Sequence, residues 1–192
     1  VIPREQLENA ILRACNWMIN ISQVQTKQLD EAKHEVRYQY QNWTGAFRGE
    51  YRPGHKWEFF GTVWHTGQGV KALSFAYKYF KKSYLLDAAR LGAEFILNQQ
   101  QTDKNDIDYG MIVAFEDEAD TINASAVFEC CDGLFSLTEV TGDKRYANSA
   151  VDAIDWVVRR LYSGDGIFTD QYDVKNRKGI NPWPNKYSDP GR

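Results

Sequence analysis

Apolar residues recur at helical spacing in five separate stretches of the chain, the period that brings every third or fourth side chain onto one face. In residues 4–22, Leu7, Ile11, Ala14, Met18 and Ile21 share such a face. The second stretch, ending near Phe80, sets Leu73, Ala76, Tyr77 and Phe80 against a polar stripe of Gln68, Lys71, Ser74 and Lys78. The third, residues 84–101, turns Leu85, Ala89, Gly92 and Ile96 inward. The fourth follows the acidic cluster at 116–120, with Val127, Cys130, Cys131, Leu134 and Leu137 inside and Glu129, Asp132 and Glu139 outside. The fifth, residues 144–161, packs Ala147, Ala150, Ile154, Val157 and Leu161. Lys81-Lys82-Ser83 and Thr141-Gly142-Asp143 interrupt the pattern within each pair. In the latter, glycine closes one helix and aspartate caps the next.

The pattern repeats. A shift of 61 residues carries Leu73 onto Leu134, Gln68 onto Glu129, Lys71 onto Asp132 and Lys78 onto Glu139. One extra residue at the turn changes the shift to 62 and carries Tyr84 onto Tyr146, Ala88 onto Ala150 and Phe95 onto Val157. A period of this length marks stacked supersecondary units. The expectation is an all-α fold: one domain over residues 1–192 built of tandem antiparallel helical hairpins, the first represented only by its second helix. Between helices the chain changes character. Residues 23–37 are polar, without apolar periodicity, and read as loop. Residues 38–60 are rich in aromatics, including Trp43, Phe47, Trp57 and Phe59, and are broken by Gly45, Gly49, Pro53 and Gly54, which exclude a continuous helix. Gly45-Ala46-Phe47, Gly110-Met111-Ile112 and Gly166-Ile167-Phe168 follow the successive second helices and read as brief strands or turns.

Composition narrows the classes. With 192 residues, 43% hydrophobic and 26% charged, the chain can bury one sizeable core. No apolar run approaches the roughly 20 residues that span a bilayer, so no membrane span is expected. A net charge of −3 argues against nucleic acid, which requires clustered Lys and Arg. The three cysteines include the adjacent pair Cys130-Cys131 and follow no metal-ligand spacing. They are expected as buried small side chains, with neither a disulfide framework nor a structural metal. Gly67-Gln68-Gly69 lacks the rest of a phosphate loop, and no cofactor is expected. Val1-Ile2-Pro3-Arg4 carries no leader pattern and starts a helix with proline. Asn181-Pro182-Trp183-Pro184 forbids helix in a tail that stops without a terminating element, so the chain reads as cut short.

The hairpins of about 60 residues, the helix mouth Trp64-His65-Thr66-Gly67-Gln68-Gly69, the turn Thr141-Gly142-Asp143-Lys144-Arg145-Tyr146 and the Gly166-Ile167-Phe168 exit resemble the six-hairpin (α/α)6 toroid superfamily. That group holds glycoside hydrolases, unsaturated uronyl hydrolases, sugar 2-epimerases and some polysaccharide lyases. The resemblance implies a partial copy near half of the ring, completed by a missing segment or a partner chain. It also implies a sugar or oligosaccharide substrate bound where the loops entering the inner helices converge.

By the repeat alignment, His65, Glu116, Glu118, Asp120 and Asn123 fall at those helix mouths, where helix dipoles favour negative charge. Glycoside hydrolysis is the leading expectation for the chemistry, and it needs two carboxyls, one protonated and one ionised. Asp120, which stands just before the inner helix, is the expected acid or base, with Glu118 or Glu116 as its second. His65 offers a different chemistry, since a neutral imidazole can remove a proton beside a carbonyl, as an epimerase or isomerase requires. Trp43, Trp57 and Trp64 are candidate stacking surfaces for sugar rings, and Arg48, Gln68 and Asn123 candidate polar partners. A third possibility is a non-catalytic helical-repeat binding domain, with the aromatics as core and the acids as solvated caps.

Overall fold

A computed structural model describes residues 2–36, 38–51, 53–54, 56–115, 119–164 and 166–181. Its framework is helical, and the helices fall where the periodicity places them, except that the third stops at Leu97 and the expected continuation to Gln101 is a turn whose Gln100 bridges to Ile112. Helix α1 (Arg4–Trp17) starts behind Pro3 and runs on through one wide π turn, Met18–Ser22. The first complete hairpin is α2 (Thr62–Phe80) and α3 (Ser83–Leu97), and the second is α4 (Ala124–Thr141) and α5 (Lys144–Leu161). The break at 141–143 works as expected. Gly142 takes the left-handed conformation at φ 73°, and Asp143 caps α5 by accepting from the Arg145 amide at 3.0 Å.

The two inner helices, α2 and α4, run parallel. Gln68 donates to Glu129 at 2.8 Å, Lys71 pairs with Asp132 at 2.5 Å, and Lys78 pairs with Glu139 at 2.5 Å. These are the residues that the 61-residue shift superposes. Repeat-related helices lying side by side hold equivalent positions at equal heights, so equivalence in the sequence becomes contact in space. Close approach requires small residues. A Cβ at Gly133 would stand 2.2 Å from the Gly67 carbonyl oxygen, and one at Gly67 would stand 2.4 Å from the Cys130 Cα. Below this seam Val70, Leu73, Val127, Leu134 and Leu137 are completely buried. Ser74 departs from the expected polar stripe, because the helix rotates it into the core and leaves Phe75 and Tyr79 exposed.

The outer helices α3 and α5 are joined to the preceding repeat by one recurring device. Gln23, just past α1, donates its side-chain amide to the Gly45 and Ala88 carbonyls at 3.3 and 2.9 Å. Gln100, just past α3, does the same to Gly110 and Ser149 at 2.9 and 2.8 Å. In each case the glycine lies directly on the next outer helix. A Cβ at Gly45 or Gly110 would meet the Leu91 or Asp152 carbonyl oxygen at 2.1 or 2.2 Å. Each glutamine also bridges to the Gly-led run, Gln23 with Phe47 and Gln100 with Ile112.

The all-α expectation holds for the framework, to which the described residues add eight short strands. β1 (His34–Glu35), β2 (Glu50–Tyr51) and β3 (Trp57–Glu58) make a sheet in the order β1-β3-β2. β4 (Thr121–Asn123) pairs with β7 (Gln171–Asp173), which pairs with β8 (Lys178–Ile180), while β5 (Tyr162–Gly164) pairs with β6 (Ile167–Phe168). The three cysteines are free and buried. Among the described residues no helix is long and apolar enough to cross a membrane, and no His, Cys, Asp or Glu cluster is arranged for a metal ion.

Candidate functional site

His65 lies in the first turn of α2. Gly61 starts the helix in a left-handed conformation, at φ 51°, and the Thr62 hydroxyl and amide both meet the hydroxyl of buried Tyr38. Thr66 is tied into this start, its hydroxyl donating to the Thr62 carbonyl and accepting from the Phe47 amide. The backbone between His65 and Tyr38 is therefore fixed. The His65 Nδ1 is 2.7 Å from the Phe60 carbonyl oxygen. A carbonyl only accepts, so the proton is on Nδ1, and Nε2 carries the lone pair with no hydrogen-bond partner among the described residues. Burial pulls the pKa of His65 below its ordinary value, opposed by the Phe60 contact and the Glu50 and Glu129 charges. The neutral base is thus the resting form.

Trp64 stacks on the imidazole, with centroids 4.8 Å apart and planes 17° from parallel. Its indole N–H donates to Glu129, which also accepts from Gln68. Glu129 therefore binds both α2 side chains from the neighbouring inner helix. Sequence reasoning placed Glu129 only on a polar stripe, although its repeat equivalence to Gln68 was the signal that could have brought it to this mouth.

Asp120 lies at the same end of the parallel pair, ahead of α4, but not directly at the helix. Strand β4 intervenes, and Asn123 is the capping residue. Asn123 is buried and its Oδ1 accepts from the Ser125 amide at 2.9 Å and hydroxyl at 2.6 Å, so this oxygen caps the helix. Asp120 is exposed at φ 67°, a left-handed position that costs a non-glycine residue on the order of 1 kcal/mol. Its carbonyl accepts from Val174 at 2.9 Å, holding the turn to the β7–β8 hairpin. Glu116 and Glu118 lie outside the described residues.

The loop aromatics divide. Trp43, 1% exposed, is core: its ring lies 4.7 Å from Phe59 and 5.1 Å from Tyr40, with no face open to a sugar. Trp57 is half-buried between Trp17, at 6.2 Å, and Tyr51, at 5.0 Å. Arg48, expected as a ligand contact, makes internal bonds through Nε and one terminal nitrogen. It donates to His34 Nε2 at 3.1 Å and to the Ile21 and Ser22 carbonyls at 2.5 and 3.2 Å, with its guanidinium over Trp57. His34 also meets the Asp30 carbonyl through Nδ1, so both its nitrogens are occupied.

No protein-family model matches the chain, and no curated protein sequence matches it. Solved structures do. A sugar epimerase from a ruminal bacterium superposes with a TM-score of 0.55 at 20% identity, over 87% of this chain and 41% of that one. A GH76 α-mannanase of Bacteroides thetaiotaomicron gives 0.52 at 21% identity, over 60% and 32%. A D-mannose isomerase gives 0.51 at 13% identity, over 62% and 32%. The fold is that of the six-hairpin toroids. The chain spans between a third and two-fifths of those toroid enzymes' length. Within the toroid frame α2 and α4 are neighbouring inner helices, and the His65–Trp64–Glu129–Gln68 group and Asp120 belong to one end of them.

Proposed function

We propose that this chain is part of a sugar-processing enzyme in which His65 is the base of an aldose–ketose isomerisation. The observation that carries this reading is the fixed tautomer of His65, with Nδ1–H held on the Phe60 carbonyl and Nε2, which has no hydrogen-bond partner among the described residues, beside an aromatic wall. In an open-chain aldose, Nε2 takes the proton from C2 while the C2–H electron pair moves toward the carbonyl, whose oxygen becomes an enediolate. Delivering that proton to C1, after partial exchange with solvent on the imidazole, while the O2 hydroxyl proton passes to O1 and the C2 carbonyl forms, completes the isomerisation on one face of the sugar with one base. Epimerisation at C2 needs, in addition, a second acid on the opposite face of the sugar. Glu129 and Glu50 favour the imidazolium that forms during transfer. A general base of this kind contributes typically 10²–10⁴-fold.

Asp120 supports a second reading, glycoside hydrolysis, because a strained and exposed carboxylate at the same helix mouth is the kind of outlier that accompanies function. One experiment separates the two. Incubated with mannose or glucose in D2O, the chain should incorporate deuterium at C1 and C2, and His65→Gln should cut the rate by at least a hundredfold. Exchange that survives in His65→Gln, or hydrolysis of a glycoside that vanishes in Asp120→Asn, would overturn the isomerase reading.

A further inference from the structure

A groove of about 600 Å³ opens between residues 39–42, 98–101 and 111–115, a volume in the range of small-ligand sites. It shares no residue with the His65 site. Tyr38 stands between them: its hydroxyl bonds Phe59 and Thr62 on the α2 side, and its ring lies 5.3 Å from Phe115 and 5.5 Å from Tyr40 on the groove side.

The lining is chemically one-sided. Seven of the eleven lining residues are Asn or Gln and none is charged, in a chain with 26% charged residues. Part of the wall is fixed by internal bonds. Gln100 uses both ends of its carboxamide, Gln99 donates to Phe95 at 3.0 Å, and Tyr40 donates to Val113 at 3.0 Å. Gln39, Gln41 and Asn98 are exposed at the rim, and their carboxamides have no partner among the described residues. Met111 and Phe115 supply apolar floor.

We infer that this groove binds an uncharged oligosaccharide. A carboxamide presents a donor and an acceptor side by side, the pairing that adjacent sugar hydroxyls offer, while the floor suits the apolar face of a pyranose. A uronate, a nucleotide or an acidic peptide would lose its hydration here and meet no counter-charge. A peptide adding as a strand would need a free backbone edge. The edges of two of the three lining segments are paired with each other, Gln101 to Met111 at 2.8 Å and Val113 to Gln99 at 3.0 Å. The proposal rests on the sugar-processing reading for its biological sense, but it concerns binding and is tested by binding.

Calorimetric titration of the whole chain with neutral mannose and glucose tetrasaccharides, a galacturonate oligomer and a neutral tetrapeptide tests it. A neutral tetrasaccharide should bind, the other two should not, and the side-chain NH2 signals of Gln41 and Asn98 should shift in NMR. The double variant Gln41→Ala/Asn98→Ala changes only exposed rim residues and should weaken binding by about tenfold, two hydrogen bonds at about 1 kcal/mol each partly replaced by water. His65→Gln should leave binding unchanged. Equal binding by the double variant, equal affinity for the uronate or the peptide, or no tetrasaccharide binding at millimolar concentration would overturn the groove. His65-dependent exchange persisting in that case would leave the isomerase reading intact. Groove binding without exchange would do the reverse.

Discussion

At the residue scale, the two described histidines show how one side-chain type takes opposite parts. His34 has both nitrogens engaged, with Arg48 donating to Nε2, so protonation would set two donors against each other. His65 has one nitrogen engaged and the other without a partner among the described residues. Burial lowers the pKa of both, and at His34 the Arg48 charge adds to it. A base with a depressed folded-state pKa is stabilising while neutral: below about 6.5 the unfolded chain binds more protons. Stability should therefore be full above the unfolded-state value and fall as the pH drops through it toward the folded-state pKa. Thermal melts across pH 7.5 to 5 should show that decline, and His34→Gln should be less stable at neutral pH yet lose less on acidification. A pH-independent melting temperature for the unaltered chain would contradict this account. Neither tautomer was legible in the sequence, since each depends on a backbone carbonyl that the fold brings to the ring.

At the element scale, the seam between α2 and α4 combines two kinds of contact with very different energetic weights. The Lys71–Asp132 and Lys78–Glu139 pairs are about half exposed, and such pairs contribute roughly 0–1 kcal/mol. The Gly67–Gly133 contact fixes the separation of the helices themselves. Gly133→Ala forces a methyl onto the Gly67 carbonyl and should cost about 1–3 kcal/mol in urea unfolding, whereas Lys71→Ala should cost less than about 1. Similar losses for the two variants would mean that the helices can part without penalty. The sequence revealed the repeat and so aligned Gln68 with Glu129. That aligned residues would touch follows only from the parallel side-by-side docking of the inner helices.

At the scale of the whole molecule, one buried cluster runs from Cys15 to Tyr172 and includes side chains from all five helices. It is unevenly shared. α1 buries only Cys15 and leaves Leu7 and Ile11 53% and 40% exposed, while α2 and α4 are walled in on several sides. Protection follows burial and local contact. In hydrogen exchange the amides of α2 and α4 should be the slowest, and those of the first turns of α1 should exchange orders of magnitude faster. Equal protection along α1 and α4 would show that α1 is held by contacts beyond those described.

The sequence by itself determined the helices, their breaks and their repetition, because amphipathic period, capping residues and glycine stops act within a few residues of one another. It also determined that Trp64, His65 and Gln68 start an inner helix. It did not determine which loop aromatics stay open: Trp43 is sealed by Phe59 and Tyr40, and Arg48 is bonded to carbonyls more than twenty residues away. Nor did it reveal the uncharged groove, whose walls come from stretches that are distant along the chain. A burial or an unfilled hydrogen bond is a property of what surrounds a side chain, and only the packed tertiary structure supplies the surroundings.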